Sequence, residues 1–419
     1  MSYMMRVKPP MPPTLKPPIE GASCIDAVDT GSRTSKGAMI LQLGDDSSGT
    51  VSLVKTMRGE VVEVIHSGAL AVVDSDGHLV AHAGDPALMV CMRSSAKPFQ
   101  LLPLIESGAA DRLGFSEREL AVMAASHSGS DAHVETVAGI LERLGLDETA
   151  LLCGTHRPLD REAAESLIRA GKPPSPLHHN CSGKHAGMLA AAVSQGLPIE
   201  NYTDPAHPVQ VRILGTLAEM ADWPAERIGI GIDGCSVPVF SLPLRQAALA
   251  YARLADPGGL PEPRQSACRR IVAAMTAHPE MVAGHGRFDT ALMRAGGGQI
   301  VAKGGAEGYQ GVGILPAAVP NRPPAIRRGV ALGLALKIQD GNGRRGTPPA
   351  TLEALRQLGV LDNLRAGASA ELDEFGPRPL YNYRQIPVGA LSAAFELTFR
   401  GSGDPQGAQL TLSTLEPTI

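Results

Sequence analysis

Short apolar runs bounded by turn-forming residues predict β-strands in the early and in the late part of the chain. Val61–Val73 contains two such runs, and a turn signal at 74–77 separates them from a third run at 78–81. Gln299–Lys303 and Gly329–Ile338 are the corresponding runs in the late part. The early runs predict a β-hairpin or meander, and the late runs predict buried strands.

Helical periodicity dominates between these strands. Apolar residues recur three and four positions apart over 131–144, and Gly145 is the expected helix end. Ser116 and Glu119 have the spacing of a capping box, which indicates a helix start. Further helices are predicted at 160–170, 183–195, 208–220, 243–255 and 263–277, and further strands at 228–232 and 237–240. Strands on both sides of helices predict an α+β fold, a mainly antiparallel sheet with a helical insert at about 98–225.

The first 57 residues show no lasting hydrophobic period. Residues 1–18 are rich in proline, and residues 19–57 are rich in Gly, Ser, Asp and Thr. We therefore predict a largely irregular N-terminal extension over 1–57, without catalytic residues. The catalytic domain is expected at 58–419, with a sheet formed by the N- and C-terminal parts of that range.

Composition and charge restrict the class of protein. The 419 residues are 43% hydrophobic, which supports a sizeable core, and the formal net charge is −4 without a basic stripe. This balance argues against nucleic acid or a membrane surface as partner. No apolar run approaches the ~18 residues of a membrane helix, and no apolar signal region is visible at the N-terminus. Six scattered cysteines favour a reducing cytoplasm over export, so we expect a cytoplasmic protein with a small soluble substrate.

Ser94 and Lys97 form a Ser-x-x-Lys pattern between a strand-like and a helix-like segment. Residues three apart share a face of a helical turn, so an uncharged Lys97 could accept the hydroxyl proton of Ser94. The pair predicts a nucleophile with its own base, although the same pattern occurs at helix starts with a solvated lysine. Pro98 disfavours helical angles at Lys97, which leaves the local geometry open.

Two other polar segments are candidates for proton transfer or substrate binding. Ser126 or Ser128 could supply a second hydroxyl, although their segment also suits a polar loop between helices. Lys303 ends an apolar strand and is followed by Gly304 and Gly305, where backbone N–H groups could approach a carboxylate or an oxyanion. The alternative there is a glycine turn with an exposed lysine.

Cysteine, histidine and lysine residues cluster in the segments His178–His185 and Asp233–Ser236. Thiolate and imidazole suit zinc, but the spacing matches no standard zinc motif, so the residues alone favour buried structural thiols or a polar pocket wall over a zinc site. Asp233 follows an apolar strand and could bind an ammonium group or simply form a turn. His285 and Arg287 are further possible pocket residues.

The segments Arg93–Gln100, His179–His185 and Gly231–Cys235 together resemble the L-asparaginase II family of the Rhizobium etli type, the thermolabile class 3. Lys303–Gly305 and Asp340–Gly341 also agree with it. The resemblance runs from about residue 58 almost to the C-terminus. It implies hydrolysis of L-asparagine to L-aspartate and ammonia, a fold similar to serine β-lactamases, penicillin-binding proteins and glutaminases, and a homodimer.

The resemblance also implies roles for individual residues. Two Ser–Lys pairs are expected, Ser94 with Lys97 and Ser126 with Lys303. The implied zinc ligands are Cys181, Lys184 and Cys235, with water as the fourth. The implied substrate-binding residues are Asp233, which faces the substrate ammonium, and Arg93, His185 and Gly304. Zinc is expected to shape the pocket, because a serine already supplies the nucleophile.

Two other functions stay open at this stage. A β-lactamase or D-Ala-D-Ala peptidase would share the fold, but such enzymes carry a hydroxyl residue after the strand lysine, where this chain has Gly304. A non-catalytic zinc-binding scaffold would retain the metal ligands without amide hydrolysis.

Overall fold

A computed structural model describes residues 49–319, 323–324, 326–361, 364 and 369–400 of the chain. The described strands are β1 Val51–Arg58, β2 Val61–Asp74, β3 Leu79–Ala83, β4 Met89–Cys91, β5 Gly229–Ile232, β6 Pro238–Pro243, β7 Ile300–Gly305, β8 Tyr309–Ile314, β9 Leu332–Ile338, β10 Arg378–Tyr381, β11 Pro387–Ala393 and β12 Thr398–Phe399. The described helices are α1 Lys97–Glu106, α2 Ala109–Arg112, α3 Glu117–Met123, α4 Asp131–Arg143, α5 Arg161–Arg169, α6 Ser182–Ser194, α7 Pro208–Ala221, α8 Leu244–Ala255, α9 Glu262–Ala277, α10 Pro279–Val282, α11 Phe288–Gly296, α12 Thr347–Gln357 and α13 Ser369–Asp373. All of them belong to one unit of the chain, Asp45–Ile419.

Two antiparallel sheets are present in this part of the chain. The larger sheet has the strand order β10-β11-β1-β2-β9-β8-β7, and β3 joins β2 to β12. The smaller sheet has the order β4-β6-β5. The second half of β2 is buried continuously, with Leu70 opposite Leu336 and Val72 opposite Leu334. Continuous burial means that both faces of this part of the sheet are covered, and α8 packs against β2, β8 and β9 on one face.

The helices α1 to α7 lie between β4 and β5 in sequence, and their assignment to a helical insert at about 98–225 stays a prediction. Helix α1 packs against α6, α7 and α9, so its N-terminus is held among helices while its preceding turn meets β7. The predicted capping box is present, since the Ser116 N–H donates to Glu119 Oε2 at 2.8 Å. No described helix has both the length and the apolar character needed to cross a membrane. The α+β class with a mainly antiparallel sheet is confirmed.

The sheet begins before the predicted boundary at residue 57. Strand β1 lies between β11 and β2, with Val54 opposite Ala393 and Arg58 opposite Val61. Its side chains Leu53 and Val54 are fully buried. The sequence did not predict this strand, because polar residues interrupt the apolar pattern of Val51–Arg58. The rest of the predicted extension, residues 1–48, lies outside the described residues.

Lys97 is helical, contrary to the expectation from Pro98. Its backbone angles are φ −59° and ψ −39°, and it is the first residue of α1. Pro98 is therefore the second residue of that helix, where its missing N–H costs no hydrogen bond. The buried side chain of Lys97, described below, holds the residue in place against the local preference.

Candidate active site

The turn that carries Ser94 lies between β4 and α1. Residues Arg93–Ala96 form one 3-10 turn, and Arg93 has a left-handed backbone with φ 48°. A residue with a side chain rarely adopts this angle, so other contacts must hold it. Arg93 Nη2 lies 2.9 Å from Asp233 Oδ1, and its Nε donates to the same oxygen at 3.1 Å. On the other side, a Cβ at Gly305 would lie 2.6 Å from Met92 O, so only glycine lets β7 come this close.

Lys97 is the best-connected polar side chain of the site. It is 1% exposed, and its Nζ lies 2.5 Å from Ala125 O, 3.3 Å from Asn180 O and 2.9 Å from Ser126 Oγ. The two carbonyls can only accept, so they take two N–H groups, and the lone pair of an uncharged amine then faces Ser126 Oγ. Burial lowers the pKa of Lys97 and outweighs the opposing charge of Cys181. The arrangement suits transfer of a proton from Ser126 to Lys97.

The side chain of Ser94 takes no part in this contact. It is half-buried and makes no hydrogen bond within the described part of the chain, whereas every Lys97 hydrogen bond goes to another residue. The structure therefore brings Lys97 to Ser126 instead of Ser94. The catalytic role of Ser94 stays a prediction.

Lys303 is the second buried amine of the site. It is 1% exposed, and its Nζ donates to Gly304 O at 2.7 Å and lies 3.9 Å from Asp289 Oδ2. Burial lowers the pKa of Lys303 to about 7, against the opposing effect of Asp289, and the charges of Lys97 and Arg287 lower it further. An amine with this pKa can both accept and donate protons at neutral pH.

The predicted pairing of Ser126 with Lys303 is not a hydrogen bond in this structure. Ser126 Oγ contacts Lys97 Nζ, and the Ser126 N–H donates to Val282 O at 2.9 Å. Lys303 instead contacts Gly304 and Asp289. The four predicted catalytic residues thus lie on three segments, the turn with the start of α1, the loop after α3 and strand β7, with one serine–lysine contact between Lys97 and Ser126.

Gly304 does not present a free N–H to a substrate here. Its N–H donates to Asp289 Oδ2 at 2.7 Å, and the other oxygen of Asp289 accepts from Gln310 Nε2 at 2.9 Å. Sequence reasoning missed Asp289, although it considered the neighbouring His285 and Arg287. An aspartate early in a helix has an ordinary structural role, so its type alone gave no signal.

Tyr251 and Ser95 connect the Ser94 turn to β7 and were also missed. Tyr251 OH donates to Ser95 O at 2.7 Å, and Ser95 Oγ donates to Lys303 O at 2.8 Å. Both side chains are fully buried. Their hydrogen bonds fix the backbone of the turn against the strand that carries Lys303.

The predicted metal ligands come together between α6 and the turn after β5. Lys184 Nζ donates to Cys235 Sγ at 2.9 Å, and a hydrogen bond between the two thiols lowers the pKa of Cys181 and raises that of Cys235. Burial lowers the pKa of Lys184, but the two neighbouring sulfurs outweigh it and leave the pKa raised. All three side chains are at least 95% buried. Two sulfurs and one amine in contact fit the donor atoms that Zn²⁺ prefers, provided that the amine loses its proton.

A second group of ligand atoms joins one buried carboxylate to two exposed side chains. Asp74, Asp76 and His78 bring such atoms within 4.8 Å of one another. Arg327 pairs with both Asp74 and Asp76, so a cationic side chain already occupies this cluster. We assign it no metal.

The predicted substrate-binding residues separate into two groups. Arg93 and Asp233 form the ion pair at the Ser94 turn, and their side chains are 28% and 11% exposed. His185 is fully buried in α6, and its Nδ1 lies 2.6 Å from Tyr202 OH. Arg93 and Asp233 are thus accessible to a solute, whereas a substrate contact by His185 stays a prediction.

A sequence model of L-asparaginase II matches residues 54–393. The chain belongs to the L-asparaginase II family. The match begins inside β1 and ends at the last residue of β11, so it covers most of the described elements. Membership of this family supports amidohydrolase activity on a small-molecule amide. The finer assignment to the Rhizobium etli type stays a prediction.

The similarity of this asparaginase II family member to solved structures is low. A crystal structure of Mglu in its native form has 14% identity over 69% of this chain and 60% of that chain, with a TM-score of 0.36. Bacillus glutaminase has 14% identity over 70% of this chain and 92% of that chain, with a TM-score of 0.32. The chain thus spans 60% of the length of Mglu. Similarities of this size carry no argument, so the detailed likeness to serine β-lactamases stays a prediction. No curated protein matches the chain significantly.

Proposed function

We propose that the protein is an L-asparaginase, which hydrolyses L-asparagine to L-aspartate and ammonia through a serine ester. The observation that carries the proposal is the buried contact of 2.9 Å between Lys97 Nζ and Ser126 Oγ. A buried serine hydroxyl facing an amine of lowered pKa is the arrangement that activates a nucleophile. A purely structural lysine would instead extend its charge into water.

The ion pair of Arg93 and Asp233 supports an amino acid as substrate. An α-amino acid carries one carboxylate and one ammonium group, and this pair offers the complementary charges at the partly exposed side of the site. Binding of the substrate would replace the single internal ion pair by two pairs, Arg93 with the carboxylate and Asp233 with the ammonium group. The amide of asparagine then extends towards Ser94 and Ser126.

In the proposed reaction, Ser126 Oγ attacks the side-chain amide carbon while its proton passes to Lys97 Nζ. The C–N bond of the tetrahedral intermediate then breaks, and the leaving nitrogen receives the proton from Lys97, so that ammonia departs. Lys303 lies close enough for the charge of Lys97 to lower its pKa, and it exchanges protons near neutral pH. Water hydrolyses the resulting β-aspartyl ester and regenerates Ser126. This assigns the attack to Ser126, in place of the sequence-based assignment to Ser94.

We also propose that zinc binds to Cys181, Lys184 and Cys235. When bound, the ion would supply a fixed positive charge that joins α6 to the turn after β5. The zinc content of purified protein, measured against Cys235→Ala, tests this directly. A cytoplasmic location and a homodimer remain proposals, and the five described cysteines are free thiols, which agrees with a reducing compartment.

The test of the function is ammonia release from L-asparagine, from L-glutamine and from a blank. We expect asparagine to be hydrolysed, and Ser126→Ala and Lys97→Met to lower kcat by about 10³-fold or more. Ser128→Ala is the matched control, because its buried hydroxyl has no hydrogen-bond partner in the described part of the chain. Acid quenching followed by peptide mass spectrometry locates the ester on Ser126 or Ser94.

Three other outcomes would contradict parts of the proposal. An ester on Ser94 would return the nucleophile to that residue while leaving the amidohydrolase intact. Labelling by a fluorescent penicillin without ammonia release would favour a β-lactamase or peptidase. Zinc binding without either reaction would favour a non-catalytic scaffold.

A further inference from the structure

Asp289 is a buried carboxylate whose two oxygens hold two different strands. It lies in the first turn of α11, and its side chain is 10% exposed. Its Oδ2 accepts the N–H of Gly304 in β7 at 2.7 Å, and its Oδ1 accepts from Gln310 Nε2 in β8 at 2.9 Å. One side chain therefore fixes the end of β7 relative to both α11 and β8.

The same carboxylate faces the amine of Lys303. Lys303 Nζ lies 3.9 Å from Asp289 Oδ2 and donates to Gly304 O at 2.7 Å. The N–H of Gly304 binds the carboxylate and its carbonyl binds the amine, so a single peptide segment fixes both groups. Movement of Asp289 would displace the backbone and the charge next to the amine together.

We propose that Asp289 is the positioning residue for Lys303, holding the amine on the β7 backbone opposite a fixed negative charge. The proposal rests on the proposed amide hydrolysis, in which Lys303 exchanges protons with the reacting groups. The competing interpretation is that Asp289 only anchors α11 to the sheet and has no influence on the amine.

The charges around Lys303 determine what loss of the Asp289 carboxylate would do. Lys97 in α1 and Arg287, which precedes α11, lower the pKa of Lys303, whereas Asp289 and Cys181, which precedes α6, raise it. Removal of the nearest negative charge therefore lowers the pKa of Lys303 further. This direction is the same whether Lys303 acts as an acid or as a base.

The experiment compares the pH profile of kcat/KM for wild type and Asp289→Asn. The asparagine retains an acceptor for the Gly304 N–H but removes the charge. We expect the limb of the profile that reports Lys303 to lie near pH 7 in wild type and to move to lower pH by about one unit or more in the variant.

Two variants serve as controls. Gln310→Met removes a neutral partner of the same carboxylate, and Asp111→Asn makes the same chemical change at an exposed carboxylate paired with Arg270. Both controls are expected to leave the limb in place.

Several results would overturn the proposal. One is a limb of the pH profile that lies at the same pH in Asp289→Asn as in wild type. Another is a limb that shifts equally in Gln310→Met. Asp289→Glu retains the charge but displaces it by one methylene, and we expect kcat to fall at least about tenfold with the limb close to wild type. An unchanged kcat in Asp289→Glu refutes the positioning role even if the Asn variant does not fold.

A second readout separates this proposal from the proposed function. The ¹³Cε resonance of Lys303 in ¹³C-lysine-labelled protein is assigned by its loss in Lys303→Met and is titrated in wild type and Asp289→Asn. We expect the variant to titrate at lower pH. If wild type hydrolyses no amide, the function fails while this titration still decides whether Asp289 controls the amine.

Discussion

Three nearly fully buried lysines distinguish this site at the scale of single residues. Lys97, Lys184 and Lys303 are 1%, 3% and 1% exposed. Removal of an ammonium group from water is costly unless it is paired or loses its proton. Lys184 is paired with sulfur, whereas Lys97 and Lys303 are held mainly by carbonyl oxygens and have lowered pKa values. The site thus supplies amines that can exchange protons under ordinary conditions.

Substitution of Lys303 by methionine should stabilise the protein most at neutral pH. The pKa of Lys303 is about 7 in the folded protein against its usual 10.5, so between these values the unfolded chain binds more protons. Unfolding of wild type therefore becomes harder as pH rises through this window, and the burial penalty is largest at and below pH 7. The advantage of Lys303→Met in unfolding free energy should shrink by up to about 1.4 kcal/mol per pH unit between pH 7 and pH 10.

Urea unfolding of both proteins at pH 7, 8 and 9 measures this difference. Lys172→Met, at an exposed lysine, is the control for loss of one positive charge. A difference between wild type and Lys303→Met that stays constant over this range would contradict the lowered pKa.

The family resemblance implied some contacts of the site, whereas residue spacing favoured a different one. The meeting of Cys181, Lys184 and Cys235 was implied by the family resemblance, and the structure brings their donor atoms together. The contact of Lys97 with Ser126 was not predicted, because a local Ser-x-x-Lys pattern favours the nearer hydroxyl of Ser94. The long side chain of Lys97 instead reaches Ser126, almost thirty residues later in the chain. Packing of α1 against neighbouring helices brings these two residues together.

At the scale of elements, the accuracy of the sequence interpretation followed the strength of the periodic pattern. Helices α4 and α9 have clear 3.6-residue periods and were predicted within two residues of their observed ends. Strand β8 was missed, because the sequence of Tyr309–Ile314 contains two glycines and no alternation, while all six of its residues are buried. Such a strand is stabilised by pairing with β7 and β9, which local sequence cannot report.

Close packing of α6 on α3 makes Gly183 essential for the position of the metal ligands. A Cβ at Gly183 would lie 2.2 Å from Val122 O, a backbone atom that cannot move independently. Gly183→Ala should therefore push the first turn of α6 away from α3 and cost about 2 kcal/mol or more of unfolding free energy. Because Cys181 and Lys184 flank this position, zinc content should fall as well.

Gly139→Ala is the matched control for this prediction. Gly139 lies within α4, and no atom lies within 4 Å of a Cβ built there. Alanine is the better helix former, so this variant should gain up to about 1 kcal/mol. Equal stability of the two variants in urea unfolding would contradict the packing argument.

At the scale of the whole molecule, strands from the two ends of the described chain complete one sheet. Strand β1 pairs with β11, and β3 pairs with β12, so residues more than 300 positions apart are neighbours. The sequence indicated that early and late segments form the sheet, but not which strands pair or in what order. Pairing over such separations depends on the packing of the complete fold. A local sequence pattern therefore does not specify the partner of a strand.

The position of β1 gives a direct test of where the catalytic domain begins. Strand β1 occupies an interior place in the sheet between β11 and β2, and it buries Leu53 and Val54 completely. Deletion of residues 1–58 removes two buried apolar side chains, each worth about 1.5–3 kcal/mol, and both hydrogen-bonded edges of the strand. A loss of this size is a large part of a typical stability of about 5–15 kcal/mol. We therefore expect this deletion to abolish cooperative urea unfolding, measured by far-UV circular dichroism.

Deletion of residues 1–48 is the control, because it leaves β1 intact and should retain a single cooperative transition. Equal behaviour of the two deletions would mean that the domain does not depend on β1.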